Sequence, residues 1–352
     1  MTKVLIDGLF QLKTPLHISD PNSARWDPEE KSFVYGGRGF PCTLTRTQSF
    51  FTPAHATERN EGFFSLPVLP AQGLRGRLRR CAAAELEDYV TTQLDEKLHL
   101  ETYLALHTGA ITGNPSGESP AMAEVRKTRQ HPFVGLFGGG PNLVPGNLRV
   151  AAGVPCVDAL VHDLGMIPED VCDFEPLSIK NGWRLMQVVP LVRNDDLLQG
   201  RDTRAKDVIE DYNEQLLGLL DQQMDRKKKK SEGEKSTMGL QALNFYQVVI
   251  PGTAFYCRFE VNGTKAQAGL LLHALKRLVI DENGLGGKGA LGLGQFGHSL
   301  RIHIDGQTYD LFSTQEDLNL DEEAIRGLIE EYEEALEGVN AQSLHEAFVP
   351  AK

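Results

Sequence analysis

The stretch Gly284-Leu285-Gly286-Gly287-Lys288-Gly289-Ala290-Leu291-Gly292-Leu293-Gly294-Gln295-Phe296 decides how this 352-residue chain is read. Seven glycines fall between 284 and 297, around a central lysine. Such a chain reaches φ > 0 easily and lies close against a ligand backbone. Its amides can form an anion nest, and Lys288 adds a charge. Gly284–Gly289 also satisfies the dinucleotide spacing G-x-G-x-x-G. That fingerprint needs a strand before it and a helix after it. Here the order is reversed. Ala266–Ile280 has helical spacing, with Leu270, Leu271, Ala274, Leu275 and Leu278 inside, and Leu300–Ile304 alternates as a strand. Nor is this a P-loop, because Lys288 is followed by glycine. Two readings stay open, a flexible connector and a loop lying along a phosphate backbone.

A second basic element stands upstream, at Leu69-Pro70-Ala71-Gln72-Gly73-Leu74-Arg75-Gly76-Arg77-Leu78-Arg79-Arg80. Leu66–Pro70 is extended, because proline disfavours a helical residue before it. From Gly73 the pattern turns helical, with Leu74, Leu78, Ala82 and Leu86 on one face and a helix reaching as far as Leu100. Arg75 and Arg79 form a neighbouring stripe. A helix start carries unpaired amides and a positive dipole end, and arginines there suit phosphate. A solvated basic face is the plainer reading. A third basic segment comprises Arg193, Arg201, Arg204, Lys206 and the run Arg226–Lys230. It flanks an amphipathic pattern over Thr203–Met224 and reads as an arm leaving the core.

Other elements follow from periodicity. Val4–Leu12, Leu148–Val154 and Trp183–Val192 read as strands, and Val248–Val261 as two strands about Pro251-Gly252. Residues 19–66 and 108–120 read as irregular. His131–Gly140 sets apolar residues against a glycine cluster. Asp321–Glu337 reads as an acidic helix with Ile325, Leu328, Ile329, Tyr332 and Leu336 on one side. This order suits an α+β fold with helices on one face of an antiparallel sheet, as in ferredoxin-like, RNA-recognition-type domains.

Net charge is −12, which alone argues against a nucleic-acid partner. The charge is uneven, however. Residues 301–352 carry thirteen Asp/Glu against three Lys/Arg, so 1–300 is close to neutral and the average excludes nothing. No apolar run approaches the roughly 18 residues of a membrane span, and the N-terminus lacks the apolar core of a secretory signal. Five scattered cysteines without a C-x-x-C pair favour a reducing, cytoplasmic setting over a zinc ribbon. No H-E-x-x-H or G-x-S-x-G occurs. Asp20, beside His17 and Ser19, precedes Pro21 and fits a turn better than acid–base chemistry.

Together these segments resemble the RAMP superfamily of CRISPR-Cas systems, whose signature is a C-terminal glycine-rich loop. Gly286–Phe296 is similar to that loop, Thr14–Ser19 to the segment after the first strand, and Leu69–Arg80 to a strand-to-helix element. Leu136-Phe137-Gly138 is similar to a further landmark. Residues 193–207 and Val249–Val261 sit where such subunits carry a thumb and its following strand. The resemblance spans about 1–305 and is nearest the type IV backbone subunit. Departures are Gln72-Gly73 where small hydroxyl residues are usual, and no counterpart in 20–62 to the cleaving aspartate of type III subunits.

The resemblance implies a non-catalytic guide-RNA-binding subunit with no cofactor and no metal, polymerising head to tail with copies of itself, joined by other effector subunits and meeting target nucleic acid through the guide. The expected core is 1–312, with insertions at 19–66 and 101–147 and an arm at 193–244, followed by an acidic extension at 313–352. The implied RNA contacts are His17, Ser19, Gln72, Gly73, Arg75, Gly76 and Arg79 near the first helix. The arm would add Arg193, Arg201, Arg204 and Lys206, and the glycine loop Gly286, Gly287, Lys288 and Gly289. The alternatives are a ribonuclease on the same fold, using His17, Asp20 or Asp27, and a metabolic enzyme holding a nucleotide on the glycine loop.

Overall fold

The computed structural model describes residues 2–34, 39–57, 60–109, 122–139, 144–178, 182–194, 214 and 241–348. The amphipathic pattern at 203–224, apart from Glu214, and the basic run at 226–230 lie outside them. So do residues 110–120 of the expected 108–120 loop. The chain divides into two compact units. One holds Met1–Asp20, Thr45–Gln187 and Val248–Lys352, the other Pro21–Leu44 and Val188–Gln247.

The larger unit is built on strands β1 (Thr2–Leu12), β7 (Leu148–Val150), β8 (Val154–Pro155), β11 (Ala254–Gly263), β12 (Phe296–Ile304) and β13 (Gln307–Asp310). Their order is β13-β12-β1-β11-β7, with β8 also on β11, and every pairing is antiparallel. The period-2 alternation of β1 sends Val4, Ile6 and Phe10 to one face and Asp7 and Leu9 to the other. The first face is covered by helices α1 (Ala71–Asp88), α4 (Pro132–Phe137) and α5 (Lys265–Arg277), and α6 (Glu323–Leu336) packs on α5. Helices α2 (Leu100–Thr108), α3 (Met122–Gln130) and α7 (Ala341–Phe348) complete the described set.

Helix α5 starts where expected because Thr264 and Gln267 form a capping box. Helix α1 runs as an α-helix to Asp88 and continues as a π-turn over Tyr89–Gln93, short of Leu100. The acidic helix α6 buries Ile325, Leu328, Ile329 and Tyr332, as its spacing predicts, and these residues belong to the same core as the sheet. Its Tyr332 and Leu328 approach α5 at Gly269, where a Cβ would lie 2.2 Å from the Leu328 carbonyl oxygen.

The second face carries its own core of Leu9, Tyr256, Val157, Leu160 and Ile167, completed by Phe50 and Phe64. Those phenylalanines come from the ribbon β5 (Thr47–Thr57) and β6 (Asn60–Pro67). On this face Asp7 is buried and bonded to Tyr256 Oη (3.1 Å), His303 Nε2 (3.1 Å) and Arg301 Nε (3.4 Å).

The smaller unit contains a sheet ordered β3-β2-β4-β10-β9, from β2 (Ser19–Asp27), β3 (Ser32–Val34), β4 (Phe40–Thr45), β9 (Met186–Asn194) and β10 (Gln241–Val249). The stretch 19–66, which reads as irregular in the sequence, therefore holds five strands. Their signal is weak because β2 reads SDPNSARWD, with no apolar alternation, and β5–β6 bears phenylalanine on both faces. The fold is thus mixed α+β with antiparallel sheets, and β4 and β10 pair in parallel. No helix among the described residues is long and apolar enough to cross a membrane.

Candidate nucleic-acid interface

After β1 the chain runs along one side of the glycine loop and is zipped to it. The Lys13 amide donates to the Gln295 carbonyl (2.8 Å), the Gly294 amide to Pro15 (2.8 Å) and the Gly287 amide to His17 (2.9 Å). Thr14 Oγ1 accepts from the Gln295 amide at 2.9 Å. The loop closes on itself where the Leu285 amide donates to Gly294 (2.9 Å) and the Phe296 amide to Asn283 Oδ1 (3.1 Å). Two glycines are required by this geometry. Gly286 has φ +70°, and a Cβ there would lie 2.4 Å from the His17 oxygen; Gly294 has φ +82°, and its Cβ would lie 2.0 Å from the Leu285 oxygen. The loop tip is exposed at Gly287, Lys288 and Gly289. Lys288 takes the left-handed conformation and leads into a single 3₁₀ turn, Gly289–Leu291.

The row of bare amides expected from composition is shorter in the fold. The amides of Gly287, Leu291, Gly292 and Gly294 already donate within the protein.

Helix α1 meets this assembly at its N-terminal end. Pro70 is extended (φ −61°, ψ 133°) and fixes the start of the helix, and the first turn holds no acidic residue. Between the helix start, Ile18-Ser19 and Leu285–Gly287 lies a cleft of about 300 Å³. Its apolar wall is Ile18, Leu69, Leu74 and Leu285, all buried. Exposed Ser19, Gly73, Arg80, Gly286 and Gly287 line it on the solvent side.

The arginines of α1 divide by direction. Arg75 and Arg79 turn away from solvent toward the C-terminal end of α4. Their Nη2 atoms donate to the Phe137 carbonyl at 2.8 and 2.6 Å, and Arg79 also reaches Gly138 at 3.2 Å. The guanidinium of Arg79 lies 5.7 Å from the Phe137 ring centre. Burial lowers the pKa of Arg75; burial and then the Arg75 charge lower Arg79 to about 10, so it stays charged at neutral pH. These two therefore satisfy carbonyls left open by a helix end. Arg77 ties the helix to the glycine loop, donating to the Gly284 carbonyl (2.8 Å) and pairing with Glu282 (2.6 Å). Both Arg77 and Arg80 line the cleft. Sequence spacing favours the i, i+4 stripe of Arg75 and Arg79 and passes over this pair.

The other expected contacts fall as follows. His17 is 1% exposed, with Nε2 3.1 Å from Ser19 Oγ. Gln72 is exposed on the first turn of α1, and Gly76 is half-buried beside the Arg80 guanidinium. Arg193 lies on β9 in the smaller unit. Arg201, Arg204 and Lys206 lie outside the described residues. Of the acid–base candidates, Asp20 pairs with Arg46 at 3.7 Å, and Asp27 Oδ1 accepts from the Glu29 and Glu30 amides at 2.9 and 3.2 Å. Among the described residues no three His, Cys, Asp or Glu group as metal ligands.

The fold can be set beside known proteins. A chain of a solved "Type IV-B CRISPR Complex" superposes with TM-score 0.47 at 15% identity, covering 87% of this chain and 91% of that one. A chain of the type III-B Cmr-beta complex bound to cognate target RNA gives TM-score 0.37 at 11% identity, covering 86% and 61%. No curated protein sequence matches. The glycine loop, the 14–19 segment and the α1 start all fall within residues 9–297, which match the RAMP superfamily, and this chain belongs to that superfamily.

Proposed function

We propose that the chain covers guide RNA as a backbone subunit of a CRISPR effector ribonucleoprotein, holding the RNA without cutting it. One observation carries this reading. Segments 17–19, 69–80 and 284–296 converge on one cleft with cationic and hydroxyl groups at its rim and little to read a base. Contacts of that kind position a ribose-phosphate chain and leave sequence to base pairing. Arg80, Ser19 and the exposed tip Gly287–Gly289 would meet phosphate and sugar. Arg75, Arg79 and Arg77 would hold α4 and the glycine loop in place around them. The arm residues Arg193, Arg201, Arg204 and Lys206 would add RNA contacts of their own, and head-to-tail copies would continue the subunit row along the guide.

The order β12-β1-β11-β7, with α1 and α5 as crossovers, supports a ferredoxin-like core of the RNA-recognition type.

Filter binding of unrelated guide RNAs across a salt series tests the proposal. R80A and K288A should each weaken binding alike for all sequences and lower the salt slope by ~1. An unchanged slope in both variants overturns the cleft as the RNA site. Magnesium-dependent or metal-free cleavage of labelled RNA that disappears in H17A, D20N or D27N replaces it with the ribonuclease reading.

A further inference from the structure

Two of the five cysteines are neighbours in space. The sulfurs of Cys156 and Cys172 lie 3.4 Å apart. Cys156 follows β8 and its amide donates to the Ala254 carbonyl at 2.8 Å, which ties it to the sheet. Cys172 ends the 3₁₀ turn Glu169–Val171. The chain between them forms the layer over the second face of the sheet, burying Val157, Leu160, Val161 and Ile167. Exposure differs within the pair. Cys156 is 2% exposed, and burial raises its pKa so that it is a neutral thiol at neutral pH; Cys172 is only half-buried. The remaining cysteines, Cys42, Cys81 and Cys257, are buried.

We propose that Cys156 and Cys172 are a reversible disulfide site, closed by hydroperoxides, that staples the 157–171 layer to the sheet. The accessible Cys172 thiolate attacks the terminal peroxide oxygen and the O–O bond breaks, forming a sulfenic acid and releasing hydroxide from hydrogen peroxide or alkoxide from an organic hydroperoxide. Cys156 sulfur then attacks the Cys172 sulfur. The S–S bond forms, the S–O bond breaks, and the hydroxyl leaves as water with the Cys156 proton. Two electrons pass from the thiols to the peroxide, and an external thiol reverses the step by exchange. The sulfurs must close from 3.4 Å to a bond of about 2.0 Å, a short approach for side chains already in contact.

The experiment uses the full chain, reduced and then exposed to hydrogen peroxide. It is alkylated with N-ethylmaleimide under denaturing conditions, digested without reduction and read by mass spectrometry. The expected product is a Cys156–Cys172 crosslinked peptide that dithiothreitol removes. In C172S that product is absent and Cys156 is alkylated. Amide exchange at 157–171 should slow by roughly a hundredfold in the oxidised protein, the closure entropy of a loop of about 15 residues. Recovery of both cysteines alkylated after peroxide, a Cys156–Cys257 crosslink, or Cys172 as sulfinic acid overturns the proposal. So does unchanged exchange in the crosslinked wild type, a readout that does not depend on any variant folding.

Discussion

Alanine placed at three positions of the glycine loop should change stability by amounts that the local backbone dictates. At Gly289 the backbone is not in the left-handed region, and nothing lies within 4 Å of the methyl that an alanine would add. Alanine there restricts the unfolded chain and should be neutral or stabilising by about 0.4–1 kcal/mol. At Gly292 space is equally open but φ is +74°. The left-handed conformation costs an alanine about 1–2 kcal/mol. At Gly294 the same strain applies at φ +82°, and the Cβ would lie 2.0 Å from the Leu285 oxygen. The backbone must move, which breaks the Leu285–Gly294 and Gly294–Pro15 hydrogen bonds. Each is worth about 0.5–1.5 kcal/mol, so G294A should cost about 2–5 kcal/mol in total. Thermal unfolding of the three full-length variants by circular dichroism ranks them, and RNA affinity should fall in the same order as the cleft wall shifts. A G294A protein as stable as G289A refutes the account of the loop.

Two further outcomes follow from the packing around α4. R79A removes charge-assisted hydrogen bonds to Phe137 and Gly138 and should destabilise the protein by about 1.5–3 kcal/mol, whereas R80A should stay within about 0.5 kcal/mol; urea midpoints compare them. His131 caps α4, its Nδ1 accepting from the Val134 amide (3.5 Å), and burial of its ring holds its pKa down to about 4. The unfolded chain takes up that proton near pH 6.5 and the folded one does not, so this stability is whole above about pH 6.5 and declines as pH falls toward 4. H131N keeps an acceptor without a titrating group. Between pH 7 and 5 the wild type should lose about 2 kcal/mol more than H131N in urea titrations, and parallel losses would contradict the assignment.

Periodicity reveals α6 most plainly, because Ile325, Leu328, Ile329 and Tyr332 meet the core while the acidic residues between them meet water. β1 and α5 are buried on both sides, and their apolar and branched residues mark them instead. β2 carries proline, asparagine and two aspartates, and only its partners make it a strand. In β5–β6, Phe50 and Phe64 are buried while Phe51 and Phe63 are 49% and 55% exposed, so no alternation marks the ribbon. The site is legible in the sequence as three compositions, a glycine loop, a basic helix start and a Thr-Pro-Leu-His segment. Spacing shows which arginines share a face but not where that face points. Arg75 and Arg79 share a stripe directed at the end of α4, and the cleft takes the neighbours Arg77 and Arg80.

The cleft also carries an order of assembly. Its two walls, near residues 17 and 287, are joined by hydrogen bonds across almost the whole length of the chain. β1 sits between β11 and β12 in the sheet, so one of its neighbours is translated long after it. During synthesis the basic helix emerges from the ribosome long before the loop that completes its surroundings. A chain halted before the glycine loop thus presents arginines but no finished groove.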